Sequence, residues 1–216
     1  DCSNPGSTHQ VTIASGADIT FDEAIEITID SLTIDSGAKL DFDTTADRSL
    51  IVNKAVTVNG TLECRGSSST SIETTLKLNG DNTANALYGL TVTGSNAFLD
   101  WQGQSQSDQD CIITAFNEIA YHATNSRNGF VYLNATGKGL IKYAEIKYMG
   151  KGSNGARGVE TYNIDGAVAD EGFVIIGSKI HDTSNGISIR GGAAVTHIVV
   201  QNKEIYNSNN SGIRFA

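Results

Sequence analysis

Apolar and polar residues alternate along most of the chain in short runs, each closed by Gly, Asn or Asp. Four phrases share one design. Residues 11–21 read V-T-I-A-S-G-A-D-I-T-F and residues 32–42 L-T-I-D-S-G-A-K-L-D-F; residues 56–64 read V-T-V-N-G-T-L-E-C and residues 90–99 L-T-V-T-G-S-N-A-F-L. Each is a short alternating strand, a glycine-containing turn and a second short strand, because a period of two sends alternate side chains to opposite faces. Between them, I-E-I-T-I-D (25–30), S-L-I-V-N (49–53) and T-L-K-L-N (75–79) predict further strands. The four phrases start 21, 24 and 34 residues apart.

A second phrase recurs after residue 110. I-I-T-A-F-N-E-I-A-Y (112–121), L-I-K-Y-A-E-I-K-Y (140–148), V-I-I-G-S-K-I-H-D (174–182) and V-V-Q-N-K-E-I-Y-N (199–207) align on Ile119, Ile146, Ile180 and Ile205. Each is followed by a polar turn and a Gly-apolar pair: Gly129-Phe130, Gly158-Val159, Gly186-Ile187 and Gly212-Ile213. A unit of strand, bend, strand, loop, glycine, strand, repeated about every 25 residues, predicts an all-β parallel solenoid whose stacked coils complete one another's core. Eight or nine coils at about 4.8 Å each would span roughly 40 Å. An antiparallel β-sandwich, the alternative, explains the alternation but not phrases that repeat in register. The expected organisation is glycine-rich solenoid coils over residues 1–101 and parallel β-helix repeats over 102–216. The second part continues the first across the loop Q-G-Q-S-Q-S-D-Q-D (102–110).

Composition narrows the picture. Ile and Val outnumber Leu, and the 216 residues include 23 Gly and a single Pro, which favours strands and tight turns. The formal charge of −9 argues against a nucleic-acid or anionic-membrane partner. No apolar run approaches the roughly 20 residues needed to span a bilayer, so membrane insertion is not expected. The charge is uneven: residues 1–50 carry 10 acidic and 2 basic side chains, so −8 falls there and −1 on residues 51–216. The first residue is Asp, which suits a mature chain after signal removal or a fragment. The last residues, S-N-N-S-G-I-R-F-A (208–216), stop in mid-coil; the expected partners are therefore further coils of a longer chain or other copies of the same chain.

Residues 178–189, S-K-I-H-D-T-S-N-G-I-S-I, resemble a coil of the right-handed parallel β-helix superfamily of pectate lyases, polygalacturonases and phage tailspikes. Residues 11–80 look like the glycine-rich all-β domain with eight characteristic glycines. That domain precedes β-helix repeats in large secreted and cell-surface proteins, including the hyaluronan-degrading cell-surface family. The resemblance implies a fold and not an activity. The N-T-D, D-D and G-H-G strings of polygalacturonase-like enzymes do not occur, and the aspartate-rich calcium cluster and arginine base of pectate-lyase-like sites have no clear match.

Six sets of residues could carry chemistry or modification. His181, Asp182 and Arg190, with His197 about one coil further on, form the constellation suited to acid–base work; turn-satisfying loop residues are the favoured competing assignment. Trp101 offers a flat apolar face to a sugar ring if exposed, although a lone Trp is more often packed. Asn185, Asn202, Asn207 and Asn209 are expected at coil corners, with amides stacking along the solenoid. Asp41 and Asp43, among Asp30, Asp35 and Asp47, are hard oxygen donors that suit calcium, the one cofactor the sequence admits; a solvated acidic face is favoured over it. Asn59, Asn134 and Asn209 begin N-x-S/T acceptor sequences for glycosylation. Cys2, Cys64 and Cys111 permit three single pairings, each leaving one thiol over.

The expected function is that of a secreted or cell-surface structural or adhesive module, part of a filament or fibre and in contact with glycans. The alternative is a lyase or hydrolase acting on an acidic polysaccharide.

Overall fold

The computed structural model describes residues 5–23, 26–69, 72–79, 89–116, 129–134, 136–150, 158–162, 172–191 and 198–216. Among the described residues it contains 22 strands and no helix. The first coil holds β1 (Gln10–Ile13), β2 (Asp18–Phe21) and β3 (Glu26–Ile29), and the second β4 (Ser31–Ile34), β5 (Lys39–Phe42) and β6 (Arg48–Val52). The third holds β7 (Val56–Val58), β8 (Thr61–Arg65) and β9 (Thr74–Leu78), and the fourth β10 (Leu90–Thr93), β11 (Phe98–Gln102) and β12 (Cys111–Ala115). Then come β13 (Val131–Asn134), β14 (Lys138–Lys142) and β15 (Glu145–Lys147); β16 (Val159–Tyr162), β17 (Phe173–Ile176) and β18 (Lys179–His181); β19 (Asn185–Arg190), β20 (Ile198–Gln201) and β21 (Glu204–Tyr206); and finally β22 (Ser211–Phe215).

Successive strands never pair with each other. Every third strand does, giving sheet A in the order β1-β4-β7-β10-β13-β16-β19-β22, sheet B from β2 to β20 and sheet C from β3 to β21. All these pairings are parallel, which excludes the sandwich and makes the chain a parallel β-solenoid, with seven coils plus one strand among the described residues, about 34 Å long at 4.8 Å per coil. Sheets B and C run unbroken past loop 102–110, which joins β11 to β12 inside a single coil.

The four early phrases lie in register as the sequence aligned them: Val11, Leu32, Val56 and Leu90 form one column of sheet A. Their turns show why. The amides of Ala17 and Ala38 bond to the carbonyls of Ala14 and Asp35, with Gly16 (φ 82°) and Gly37 (φ 78°) taking the left-handed backbone that such turns need. In the next coil Gly60 nests against this turn so closely that a Cβ there would sit 2.2 Å from the Ala38 carbonyl oxygen.

Inward residues form columns that cross every coil. In sheet C the column is Ile27, Leu50, Leu76, Ile113, Ile146, Ile180 and Ile205. Ile113 is therefore the partner of Ile146, and the expected anchor Ile119 lies outside the described residues. The Gly-apolar alignment holds for Val159, Ile187 and Ile213, but their partner in the preceding coil is Val131, one residue beyond Phe130. In sheet B, Cys64 stands between Phe42 and Trp101; being small, it lets the two rings meet edge to face at 5.6 Å, with Phe21 a further 5.3 Å on. Cys64 is disulfide-bonded to Cys111, with Cα atoms 6.2 Å apart, tying the third coil to the fourth inside the core. Cys2 lies outside the described residues.

The core thins towards the last coil. Ile198, Val200, Ile205 and Ile213 are only partly buried, and Phe215 is 76% exposed. No helix among the described residues is long and apolar enough to cross a membrane.

Candidate functional site

At the corner where sheet C turns towards sheet A, Tyr148, Asp182 and Asn207 each follow a sheet C strand and each adopt a left-handed backbone, at φ 58°, 52° and 50°. Asn tolerates this conformation well and Asp moderately, whereas Tyr does so only because the coil forces the bend. The bend places Asp182 beside its neighbours: its Oδ1 accepts a hydrogen bond from the Asn207 amide at 3.2 Å. Of the four asparagines expected to stack, Asn207 alone makes this corner bond among the described residues, and its partner is an aspartate. Asn79 Nδ2 makes a second such bond, at 2.8 Å to Asn53 Oδ1, in the earlier coils.

His181 sits one residue before this corner, its side chain 9% exposed, in an outward column with Lys147 and Tyr206. Its Nδ1 lies 2.6 Å from Asp182 Oδ2 and its Nε2 3.0 Å from Glu145 Oε1 in the preceding coil. Tyr206, in the following coil, stacks on the ring with centroids 4.6 Å apart and planes 6° from parallel, while Tyr148 meets it edge-on at 6.2 Å. Lys147 Nζ completes the cluster 2.8 Å from the other Glu145 oxygen. Burial works against the charge on Glu145, but hydrogen bonds from His181 and Lys147 outweigh it and bring the carboxyl down to about 2. Burial likewise disfavours the charged imidazole, and the hydrogen bonds to Glu145 and Asp182 overcome it, raising His181 above its ordinary value. Chemically the cluster is closed: both ring nitrogens are already engaged by carboxylates, so a substrate could exchange a proton with His181 only after displacing one of them.

Arg190 does not join this cluster. It closes β19 on sheet A, where its Nη1 donates to Glu160 Oε1 at 2.7 Å and its guanidinium lies 5.5 Å from the Tyr162 ring centroid. Glu160 is fully buried, and its Oε2, like the hydroxyl of Ser188 beside it in the ladder, has no hydrogen-bond partner among the described residues. The expected triad is thus divided between two sheets, and His197 lies outside the described residues.

Other expectations resolve residue by residue. Trp101 is fully buried in sheet B, so it offers no face to a sugar, and the stacking-platform assignment is corrected to a core position. Its place between inward Leu99 and the Cys64 column explains this, because β11 turns that side of the strand to the core. Asp41 faces Lys39 at 3.7 Å and accepts from Thr20 at 3.3 Å. Asp43 pairs with Arg48 and Thr45; the Thr45 hydroxyl bond leads, with Arg48 assisting against burial, in holding its carboxyl below the usual range. Both are engaged by the protein's own groups, and among the described residues no cluster of three or more His, Cys, Asp or Glu side chains is arranged to hold a metal. Asn59 is half-buried in the β7–β8 turn, Asn134 ends β13, and Asn209 is exposed before β22. Asn185 is buried, its Oδ1 without a partner among the described residues, and Asn202 is a left-handed corner residue at φ 48°.

Sequence reasoning overlooked Glu145, Lys147 and Glu160. The signal for the first two was present: aligned on their isoleucines, E-I-K-Y, K-I-H-D and E-I-Y-N already stack Lys147, His181 and Tyr206. No protein-family model, no curated protein and no solved structure matches this chain.

Proposed function

We propose that the chain is a secreted or cell-surface structural module, a rigid solenoid shaft that serves adhesion or filament formation. The reading rests on the Cys64–Cys111 bond buried in the core, since disulfides form and persist mainly in oxidising compartments. Continuous ladders in all three sheets add the stiffness a shaft needs. The partners are further coils or other copies of the chain, stacked on the β20–β22 edge where inward apolar side chains keep some exposure. Kinship with the right-handed parallel β-helix superfamily, with an eight-glycine-type N-terminal part, is the lineage that fits this role. The proposal needs no cofactor. Negative-stain microscopy of the native material tests it: filaments or extended rods are expected, whereas dispersed single particles that cleave acidic polysaccharide would replace it with the enzymatic alternative.

A further inference from the structure

His181 touches three successive coils: its own through Asp182, the preceding one through Glu145 and the following one through the Tyr206 ring. Both ring nitrogens face carboxylate oxygens, at 2.6 and 3.0 Å. A neutral imidazole carries one N–H, so it would set a lone pair against one of these oxygens; only the doubly protonated ring donates to both.

The surroundings favour the same state. From β15 come Glu145 and Lys147; from β18 and its corner Lys179 and Asp182; from β21 Glu204 and Tyr206; and Tyr148 closes the edge. Glu145, Asp182 and Glu204 outnumber Lys147 and Lys179, so the imidazolium brings the patch to neutrality. Asp182 is also the acceptor for Asn207 of the last coil, and Tyr206 of that coil stacks on the ring, so the last coil is seated on the coil that His181 ties to Glu145.

We propose that protonated His181 is a pH-operated clasp that holds the β16–β18 coil, and with it the strands that follow, onto the β13–β15 coil through Glu145, and that its deprotonation loosens the stack from there on and leaves the earlier coils intact. The upward shift of His181 agrees in sign. A group whose pKa is higher in the folded state stabilises fully below its unfolded value, about 6.5, and the gain is lost as pH rises through the folded value. The device thus tightens in mildly acidic surroundings and releases in alkaline ones.

Two measurements on the full chain test this. The His181 Cε1 proton is expected to titrate above about 6.5. Hydrogen exchange of peptides from residues 172–191 and 198–216, corrected for intrinsic rate, is expected to speed up between pH 6 and pH 9. The increase should be about tenfold per unit by which the folded pKa exceeds the unfolded one, while peptides from residues 26–65 stay unchanged. In His181→Gln the pH dependence of residues 172–191 and 198–216 should vanish, and in Glu145→Gln, which keeps the ring, the titration should move down. The clasp is overturned if His181 titrates at or below its ordinary value, if residues 172–191 and 198–216 exchange equally at both pH values, or if their pH dependence persists in His181→Gln. Should His181→Gln fail to fold, an unmoved titration in Glu145→Gln would overturn it equally.

Discussion

Arg190 and Gly60 show how single residues are held by the stack and not by their own strands. Glu160 is fully buried, and Arg190 is its ion-pair partner. Removing one member of a buried pair leaves an uncompensated charge, so Arg190→Ala is expected to destabilise the fold by about 3 kcal/mol in urea titrations, and Arg190→Ala combined with Glu160→Gln to recover part of that loss. Gly60 has an ordinary backbone, but the Ala38 carbonyl occupies the space a side chain would need. Gly60→Ala is therefore expected to cost about 2 kcal/mol through overpacking, read as a lower melting temperature, while Gly94→Ala meets no neighbouring atom and is penalised only by its positive φ.

At the scale of elements, a coil is a unit that cannot cover its own core, and the contacts between coils decide its stability. The Cys64–Cys111 bond closes a loop with a sequence separation of 47 residues across two coils. In the chain-entropy account, breaking it costs about 4 kcal/mol. Because both sulfurs are buried, reduction is expected to need partial unfolding: alkylation of the oxidised, denatured chain should label only Cys2, and added reductant should lower the urea midpoint. Truncating the sheet C column, as in Ile146→Ala, is expected to cost about 3 kcal/mol because a cavity opens between Ile113 and Ile180. Strands and turns were legible at this scale, since alternation and S-G-A turns are local signals. The misplaced anchor Ile119 shows the limit: I-I-T-A (112–115) and N-E-I-A (117–120) both carry an isoleucine at a usable spacing, and only pairing with Leu76 selects Ile113.

For the whole molecule, pH acts on the corner cluster from both sides. Glu145 titrates at about 2, below its ordinary value of 4.5. A depressed carboxyl stabilises the fold above its unfolded pKa, and that contribution is lost as pH falls through the folded value. Stability is accordingly expected to decline from about pH 4.5 towards pH 2, and Glu145→Gln to flatten that limb in a pH series of thermal melts. Together with the opposite dependence of His181, this puts the firmest packing of the later coils between the two titrations.

The sequence alone determined that the chain is all-β, that its strands recur in coil-length phrases and that the first four phrases lie in register. A period of two and a positive-φ turn are properties of a few consecutive residues, and repetition forces equivalent residues into columns. Tertiary structure alone decided which polar residues meet. His181 and Asp182 are neighbours in the chain, yet the cluster's other members come from the coils above and below, and Arg190, close by in sequence, is carried by the corner onto another sheet. The physical reason is the variable length of each coil: Leu90 pairs with Val131 but Val11 with Leu32, so the residue that stacks on a given side chain depends on how much chain each loop takes up before the next strand enters the ladder.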